Sequence, residues 1–306
     1  MSGSRALLLL RDSPHPGRKS SEKRVEEVST AEALREQLVD WRHSGDHIAL
    51  VPTMGNLHEG HLSLVRIARE HAERVVVSIF VNPKQFSDDD DYCEYPRTLE
   101  LDRRRLKKVK ADLVFVPDVE TIYPFGIDNA TSVTVPALTD ELCGVFRPGH
   151  FDGVTSVISR LFSLVQPDVA VFGQIDFQQQ LVIQRMVQDL SLPIQVICGE
   201  TQREEDGLAI SSRNQFLTDE ERAIAPKMHE VIDEIGRGLE TGQRNYAEIE
   251  SAAVEKLEGL GFRPEYVSIR RAANLEEPDR DCDELVVLVA AHLGKVRLID
   301  NQVVHI

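Results

Sequence analysis

Short apolar runs rich in valine and isoleucine alternate with segments of helical periodicity over the first two thirds of the chain. Near-continuous apolar runs are typical of strands covered on both faces, as in a parallel sheet. Six strands are predicted, in the segments HIALVP, RVVVSIFVNP, ADLVFVPD, SVTVP, PDVAVFG and PIQVICG. Four helices are predicted between them, over residues 62–72, 99–109, 154–165 and 177–190. Strands separated by helices form right-handed βαβ units, so the pattern predicts an α/β, Rossmann-like, doubly wound parallel sheet.

The pattern changes after about residue 200. Two charge-rich helices are predicted over residues 218–239 and 246–260, the first opened by the capping sequence TDEE. The segments PEYVSIRR, ELVVLVAAHLG and VRLIDN that follow are typical of antiparallel strands. We therefore predict three parts: a flexible N-terminal tail over residues 1–23, a larger domain over 24–200 and a smaller C-terminal α+β domain over 201–306.

The net charge and the cysteine distribution argue against several classes of function and of structural site. The chain has 306 residues and a net charge of −16, which argues against broad contact with nucleic acid or an anionic membrane surface. Its cysteines are widely spaced and form no CxxC pair, a distribution that argues against a disulfide framework or a structural zinc site. A reducing, cytoplasmic location is the natural interpretation. No apolar run approaches the roughly 18 residues of a membrane span.

Candidate chemistry lies in PTMGNLHEGH, residues 52–61, where the first predicted strand meets a helix. Ligands of doubly wound sheets bind at the carboxyl ends of strands, and glycines in such a turn let backbone N–H groups approach a phosphate. His58 and His61 would lie on one side of this turn and can donate hydrogen bonds to phosphoryl oxygens. Two alternatives stay open on these residues alone: surface histidines that cap the helix, and a metal-binding pair.

A series of segments carries a resemblance to a known family. PTMGNLHEGH, SIFVNPKQF, YPRT, RPGHFDGV, LVQPD, DFQQ, DGLAISSRN and RLIDN resemble the pantoate–β-alanine ligase family in order and spacing, over about residues 48–301. HxGH in the first segment is similar to the signature of the nucleotidylyltransferase superfamily. The resemblance implies an enzyme that adenylates pantoate with ATP and then transfers the pantoyl group to β-alanine. It also implies Mg²⁺ as the companion of ATP, small-molecule partners and a homodimer.

The same resemblance implies site residues. The larger domain would bind ATP, with His58 and His61 on the phosphates and His61 as proton donor, and the smaller domain would be its lid. The residues assigned to ATP are Met54, Gly55, Asn56, Leu57, His58, Glu59, Gly60, His61, Gly173, Gln174, Ile175, Asp176, Gln202, Ile210, Ser211, Ser212 and Arg213. The residues assigned to pantoate or β-alanine are Gln85, Gln179 and Asn82. Asp176 would lie near the ribose or act as a helix N-cap, and Asp102 would contact Mg²⁺ or its waters.

Two positions depart from the family pattern. Ile175 stands where the family has a lysine expected to contact the ATP phosphates, and deleting such a donor typically costs about 2.7–4 kcal/mol. Lys84 and Arg213 are candidates to supply the missing charge. Cys143 stands where the family more often has glutamate, so an acidic contact is expected to be missing. Two alternatives to an active ligase therefore stay open: a weakened or lapsed nucleotide-binding homologue, and an adenylate-forming ligase for another small hydroxy acid.

Overall fold

The computed structural model of the protein describes residues 25–86, 89–279 and 282–306, with the backbone alone for residues 89–91. The predicted N-terminal tail, residues 1–23, lies outside the described residues. The described strands form two separate sheets, one parallel and one antiparallel.

The larger sheet is parallel throughout the described residues. Its strands are β1 (Glu26–Val28), β2 (Ile48–Thr53), β3 (Arg74–Ile79), β4 (Leu113–Phe115), β5 (Val169–Gly173) and β6 (Gln195–Gly199). Their spatial order is β1-β4-β3-β2-β5-β6, which confirms the predicted doubly wound sheet. The order reverses between β2 and β5, and ligands of such sheets bind outside the carboxyl ends of the strands at this reversal.

Helices cover both faces of this sheet. They are α1 (Ala31–His43), α2 (Glu59–His71), α3 (Asp89–Glu94), α4 (Leu99–Lys108), α5 (Val119–Ile122), α6 (Cys143–Phe146), α7 (His150–Val165) and α8 (Phe177–Asp189). Short 3-10 helices span Pro83–Gln85, Gln174–Asp176 and Ser212–Phe216. Leu50 and Val76 pack in a core that includes α1, α7 and α8, whereas Val51 and Val77 pack in a second core with α2 and α4. Successive strand residues thus enter different cores, which explains the near-continuous apolar runs.

The prediction of a strand over SVTVP, residues 132–136, is wrong. This segment runs beside α7, and hydroxyl groups of that helix take the place of a neighbouring strand. Ser156 Oγ accepts from the Val133 N–H at 3.1 Å, and Thr155 Oγ1 donates to the Val133 carbonyl. Val135 of this segment is 4% exposed, like an inward-facing residue of a strand, and this burial accounts for the apolar residue that suggested a strand. The short edge strand β1 and the helices α1, α3, α5 and α6 were not among the predicted elements.

The C-terminal part contains α9 (Asp219–Ile224), α10 (Lys227–Glu240), α11 (Tyr246–Gly259), β7 (Arg263–Arg271), β8 (Glu284–Leu293) and β9 (Val296–His305). The three strands are antiparallel in the order β7-β8-β9, as predicted. The predicted helix over residues 218–239 is divided at Pro226, which lacks the N–H that would continue it. The predicted cap is present: Thr218 Oγ1 accepts from the Glu221 N–H at 3.2 Å, and Glu221 returns a bond to the Thr218 N–H at 2.9 Å.

Both faces of the antiparallel sheet are covered by other parts of the protein. Its first face packs against α10 and α11 in a core of its own. On the second face, Val286 and Leu288 pack with Leu142 and Phe177 of the N-terminal part. Since Phe177 opens α8 just after β5, this contact holds the smaller sheet beside the strand-order reversal. None of the helices in the described ranges combines the length and apolarity needed to cross a bilayer.

Candidate active site

The turn between β2 and α2 lies at the strand-order reversal and contains the HxGH sequence. Its backbone is left-handed at Gly55 (φ +84°) and at Asn56 (φ +49°). A Cβ at Gly55 would also lie 3.1 Å from Ile79 Cγ2, so this position requires glycine on two grounds. The turn therefore directs α2 away from the strand at a defined angle.

Helix α4 holds this turn in place. The buried carboxylate of Asp102 accepts from the backbone N–H groups of Asn56 at 3.0 Å and Leu57 at 2.8 Å, and Thr98 Oγ1 also donates to it. Arg105, one helical turn later, donates to the Leu57 carbonyl. Both oxygens of Asp102 are thus engaged inside the protein. This geometry weighs against the predicted Mg²⁺ contact and makes Asp102 a support of the turn.

The two histidines of the turn lie together, with ring centroids 4.0 Å apart. The His58 backbone N–H donates to His61 Nδ1 at 3.3 Å, which places the proton of a neutral His61 ring on Nε2. Burial, with the charges of His58 and Arg105, lowers the pKa of His61 to about 3. Burial and Arg105 lower the pKa of His58 to about 4. Both rings are therefore neutral at pH 7, and His61 offers an N–H donor.

Gly60 separates the histidines in sequence and lies against one of them. A Cβ on Gly60 would be 3.0 Å from His58 Cε1 and Nδ1, closer than real Cβ contacts normally come. It would also lie 4.0 Å from the Ile210 carbonyl oxygen. The glycine of HxGH thus leaves room for the His58 ring.

Other residues of the turn predicted to bind ATP face in different directions. The Leu57 side chain is fully buried in the core beneath α2, and Glu59 is exposed and pairs with Arg66. Met54 Sδ accepts from Gln85 Nε2 at 3.0 Å, which links the turn to the predicted substrate glutamine. The parts of the turn available to a ligand are therefore its backbone and its imidazoles, and not the side chains of Leu57 and Glu59.

The second predicted ATP segment, residues 210–213, reaches the first. Ser212 Oγ donates to the Asn56 carbonyl at 3.3 Å, across 156 residues of sequence. Ser211 Oγ accepts from the Arg213 N–H at 3.2 Å and so opens the 3-10 helix that follows. Two distant segments of the chain therefore meet at one edge of the cleft.

A hairpin over residues 202–210 carries this segment. The Ile210 N–H donates to the Gln202 carbonyl at 2.9 Å, and Arg203 forms an antiparallel bridge with Ala209. The Arg203 guanidinium donates to both carboxylate oxygens of Asp300 in β9, at 2.7 and 2.9 Å. The hairpin is thus tied to the antiparallel sheet.

The third predicted ATP segment follows β5, on the other side of the reversal. Gly173 ends the strand, and Asp176 occupies the N-cap position of α8 without making a capping side-chain bond. Its carboxylate is exposed to solvent within the cleft but closely surrounded by protein. This desolvation raises the pKa of Asp176, and the charges of Arg213, Arg147 and Arg297 oppose the rise. Three guanidinium groups are therefore close enough to act on the charge of this carboxylate.

Lys84 and Arg213, the two candidates to replace the lysine charge missing at Ile175, lie in different surroundings. Ile175 lines the cleft beside Asp176. Lys84 Nζ donates to the Ile127 carbonyl at 3.3 Å, which engages it with the loop after α5. Arg213 is close enough to Asp176 to act on its charge. Arg213 thus acts on the residue next to Ile175, whereas Lys84 is engaged by the loop after α5.

Two residues of the RPGH sequence contact the backbone carbonyl of Gln85. The Gln85 carbonyl accepts from Arg147 Nη2 at 3.2 Å and contacts His150 Nδ1 at 2.8 Å. Asn82 Nδ2 donates to Gln85 Oε1 at 3.1 Å, and Asn82 itself is 1% exposed and accepts from the Tyr123 hydroxyl at 2.7 Å. Asn82 is thus placed as a buried support of Gln85, with little surface for a substrate.

The glutamines of DFQQ have different surroundings. Gln178 is buried, and its amide bonds to the Cys143 N–H at 3.1 Å and to the carbonyls of Leu138 and Glu141 at 2.8 and 2.9 Å. Both glutamines line the cleft between the two sheets, but Gln179 is half-buried whereas Gln178 is 5% exposed. The structure thus separates a structural glutamine from a candidate substrate ligand.

The sequence profile of the family described as pantoate-beta-alanine ligase matches residues 26–303. The chain belongs to the pantoate–β-alanine ligase family. Pantothenate synthetase of Thioalkalivibrio sulfidiphilus is 51% identical over 277 residues, which are 90% of this chain and 97% of that protein. Pantothenate synthetase from Thermus thermophilus superimposes with a TM-score of 0.84 at 43% identity, over 91% of this chain and 99% of the other. The ligase from Francisella tularensis, solved with beta-gamma ATP and β-alanine, gives a TM-score of 0.74 at 31% identity, over 91% and 97%.

Membership of the pantoate–β-alanine ligase family confirms the predicted enzyme class, ATP-dependent condensation of pantoate with β-alanine. The alternatives, a lapsed nucleotide-binding homologue and an adenylate-forming ligase for another small hydroxy acid, are not favoured. The second departure from the family pattern, Cys143, has its Sγ 3.7 Å from Arg297 Nη2. Arg297 already has an acidic partner in Glu265 of β7, to which Nη2 donates at 2.7 Å. Arg297, the neighbour of Cys143, therefore has its acidic partner within the smaller sheet.

Several residues that shape this ligase cleft were not predicted. Arg105 holds the HxGH turn, Arg297 lines the cleft, and Asn301 bonds to the Gln174–Asp176 turn. Arg105 follows Asp102 by three residues within the charged run LDRRR, where periodicity does not distinguish it from its neighbours. Asn301 lies in RLIDN, which contributed to the resemblance without an assigned role. Their contacts join positions far apart in sequence, so no local pattern marks them.

Proposed function

We propose that this chain adenylates pantoate with ATP and transfers the pantoyl group to β-alanine, releasing AMP and pyrophosphate. The observation that carries this proposal is the convergence of the three predicted ATP segments at the strand-order reversal. Ser212 contacts Asn56 in the histidine turn, and Arg213 acts on Asp176 across the cleft. The Francisella tularensis relative, solved with beta-gamma ATP and β-alanine, supports the same ligands for this cleft.

In this proposal His61 donates Nε2–H to a phosphoryl oxygen. Its Nδ1 is engaged by the His58 N–H, which keeps the donor nitrogen on the other side of the ring. The lowered pKa values of both rings mean that they stabilise developing charge as neutral donors. Preorganised donors in a partly dry site are effective because they need no reorientation during the reaction.

The reaction consists of two displacements. A carboxylate oxygen of pantoate attacks the α-phosphorus, the bond to the oxygen bridging the β-phosphate breaks, and pyrophosphate leaves. The amine of β-alanine then attacks the acyl carbon, the bond to AMP breaks, and the amine gives up a proton. Gln85 and Gln179 are proposed to orient the hydroxy acid, because an amide can donate to a carboxylate and accept from a hydroxyl.

Magnesium is expected to accompany ATP, and its fit to the protein is limited. Groups of three or more acidic, histidine or cysteine side chains that could hold a metal ion do not occur among the described residues. The oxygens of Asp102 are engaged by the histidine turn. We therefore assign the ion to the phosphates and waters, the usual arrangement for Mg²⁺ with nucleotides, and give the protein no direct ligand.

The proposal is tested by pyrophosphate release from ATP, pantoate and Mg²⁺, with and without β-alanine. We expect pantoate-dependent pyrophosphate release and AMP formation that rises on addition of β-alanine. Pyrophosphate release with other small hydroxy acids but not with pantoate would indicate a different substrate. Bound ATP without any pyrophosphate release would indicate a lapsed enzyme and contradict the proposal.

Arg213 is proposed to supply the charge that the family obtains from lysine at position 175. Arg213→Ala should lower the rate of adenylation by about 10²–10³-fold, the usual effect of losing one charged donor at developing negative charge. Ile175→Lys should change the rate by less than about tenfold, because the charge is already present. Lys84→Ala, which removes the bond from Nζ to the Ile127 carbonyl, is the matched control and should stay near the wild-type rate. A large gain with Ile175→Lys and no loss with Arg213→Ala would contradict this assignment.

Two wider features complete the proposal. A homodimer is proposed from the family resemblance and is tested by light scattering of the full chain at several concentrations. A cytoplasmic location is proposed from the widely spaced cysteines, all four of which are free in the structure. A monomeric mass at every concentration would contradict the homodimer. Location of the full chain in another compartment would contradict the cytoplasmic assignment.

A further inference from the structure

Two adjacent polar residues, Asp300 and Asn301, are buried in the middle of strand β9, 4% and 2% exposed. Successive side chains of a strand point to opposite faces. Leu298 and Val304, in register with Asp300, pack in the core with α10 and α11, so Asp300 faces that side. Asn301 faces the opposite side, toward the larger sheet. Strand β9 thus presents one polar side chain to each face of the smaller sheet, at two consecutive positions.

Asn301 bonds to the third ATP segment. Its Nδ2 donates to the Gln174 carbonyl at 2.8 Å and to the Ile175 carbonyl at 3.0 Å. The amide therefore holds the 3-10 turn that places Asp176 in the cleft and begins α8. Asn301 Oδ1 is buried and has no partner among the described residues, a cost that an apolar residue would avoid. The amide is thus better explained by its two bonds to the turn than by stability alone.

Asp300 bonds to the hairpin that carries the second ATP segment. Both its oxygens accept from Arg203, and His229 of α10 approaches it at 3.5 Å. The hairpin continues into residues 210–213, whose Ser212 contacts the histidine turn. Because Asp300 and Asn301 are consecutive, neighbouring residues of one strand are bonded to both segments.

We propose that Asp300 and Asn301 form a positioning pair that sets the spacing between the Gln174–Asp176 turn and the 210–213 segment for the adenylation step. This inference rests on the proposed function, since it takes both segments to bind ATP. The pair touches backbone and a guanidinium of the protein itself, so its members are positioning residues. A displacement of about 1 Å in reacting groups can cost 10²-fold in rate, so a small change in this spacing has a measurable effect.

The experiment compares Asn301→Leu with Gln302→Leu in steady-state pyrophosphate release. Gln302 is the next residue, carries an amide of its own, and packs against Gly236 of α10, away from the cleft. We expect Asn301→Leu to lower kcat by about 10–100-fold with the KM for ATP changed by less than about threefold, the split typical of an interaction realised in the transition state. Gln302→Leu should stay near the wild-type kcat. Asp300→Asn, which weakens the tie to Arg203, should also lower kcat more than KM.

Thermal unfolding of each variant separates positioning from a loss of fold. If Asn301→Leu fails to fold, Asn301→Ser, which also removes the amide donor, is measured instead. Equal kcat values for wild type and the folded Asn301 variant, or an equal fall in Gln302→Leu, would overturn the positioning role. Absence of pantoate-dependent pyrophosphate release in the wild-type chain would instead overturn the proposed function, so the two failures are distinguishable.

Discussion

Gly60 shows how one residue serves both the local chain and the site. It lies in the first turn of α2, and its missing Cβ leaves room for the His58 ring. The sequence predicted a glycine beside the histidines for close approach to phosphate. The structure adds a second reason, because the glycine also accommodates an imidazole of the protein itself.

Gly60→Ala should therefore affect the reaction more than the fold. The new Cβ would displace the His58 ring, and we expect kcat for pyrophosphate release to fall by about 10–100-fold. The free energy of unfolding should change by less than about 1 kcal/mol, since alanine is a better helix former than glycine. Gly259→Ala in α11 is the matched control, because a Cβ there would meet nothing within 4 Å. Wild-type kcat in Gly60→Ala would show that the position of the His58 ring is unimportant.

At the scale of elements, the apolar pattern located strands and helices well where backbone N–H and C=O groups bond to other backbone groups, within a helix or between neighbouring strands. The predicted helix over residues 99–109, for example, is observed as Leu99–Lys108. It failed for SVTVP, whose backbone is satisfied by side chains of α7. The helix hydroxyls that replace a strand partner lie more than 20 residues away, so a local pattern does not include them.

Ser156→Ala tests this account of the SVTVP segment. The variant removes the acceptor of the Val133 N–H from a fully buried position, and we expect the free energy of unfolding to fall by about 1–3 kcal/mol. Ser163→Ala is the control on the same helix, since its exposed hydroxyl donates to the Ser159 carbonyl of that helix. Denaturant unfolding measures both. A loss in Ser156→Ala no larger than in the control would contradict the replacement of a strand partner by this hydroxyl.

At the scale of the whole molecule, the buried histidines of the site determine how the stability of the fold depends on pH. Three histidines near the cleft are held neutral: burial with nearby charge lowers the pKa of His58 to about 4 and those of His61 and His150 to about 3. In the unfolded chain a histidine titrates near 6.5. Between pH 6.5 and the lowered values the folded state binds fewer protons than the unfolded state. The free energy of unfolding must therefore decrease as the pH falls through 6.5.

His150→Gln should reduce this pH dependence. We expect the decrease in the free energy of unfolding between pH 7 and pH 5 to be smaller than in the wild type by about 1–2 kcal/mol, because one buried imidazole no longer resists protonation. His305→Gln, at an exposed position near the C-terminus, is the control for the replacement of a histidine by glutamine. Denaturant unfolding at several pH values provides the measurement. Identical pH dependence in wild type and His150→Gln would contradict the neutral, buried state of His150.

The sequence by itself determined the doubly wound sheet, the antiparallel C-terminal strands and the family, because these depend on local periodicity and on a long series of ordered segments. It also singled out His58 and His61, which lie three residues apart on one turn. Only the tertiary structure decided how two adjacent glutamines differ: the amide of Gln178 is buried and bonded within the protein, whereas Gln179 is half-buried at the cleft. It alone revealed Asp102 as a support of the turn and Asn301 as a tie between sheets. Such roles are set by contacts between residues distant in sequence, and burial of their polar atoms depends on the completed packing.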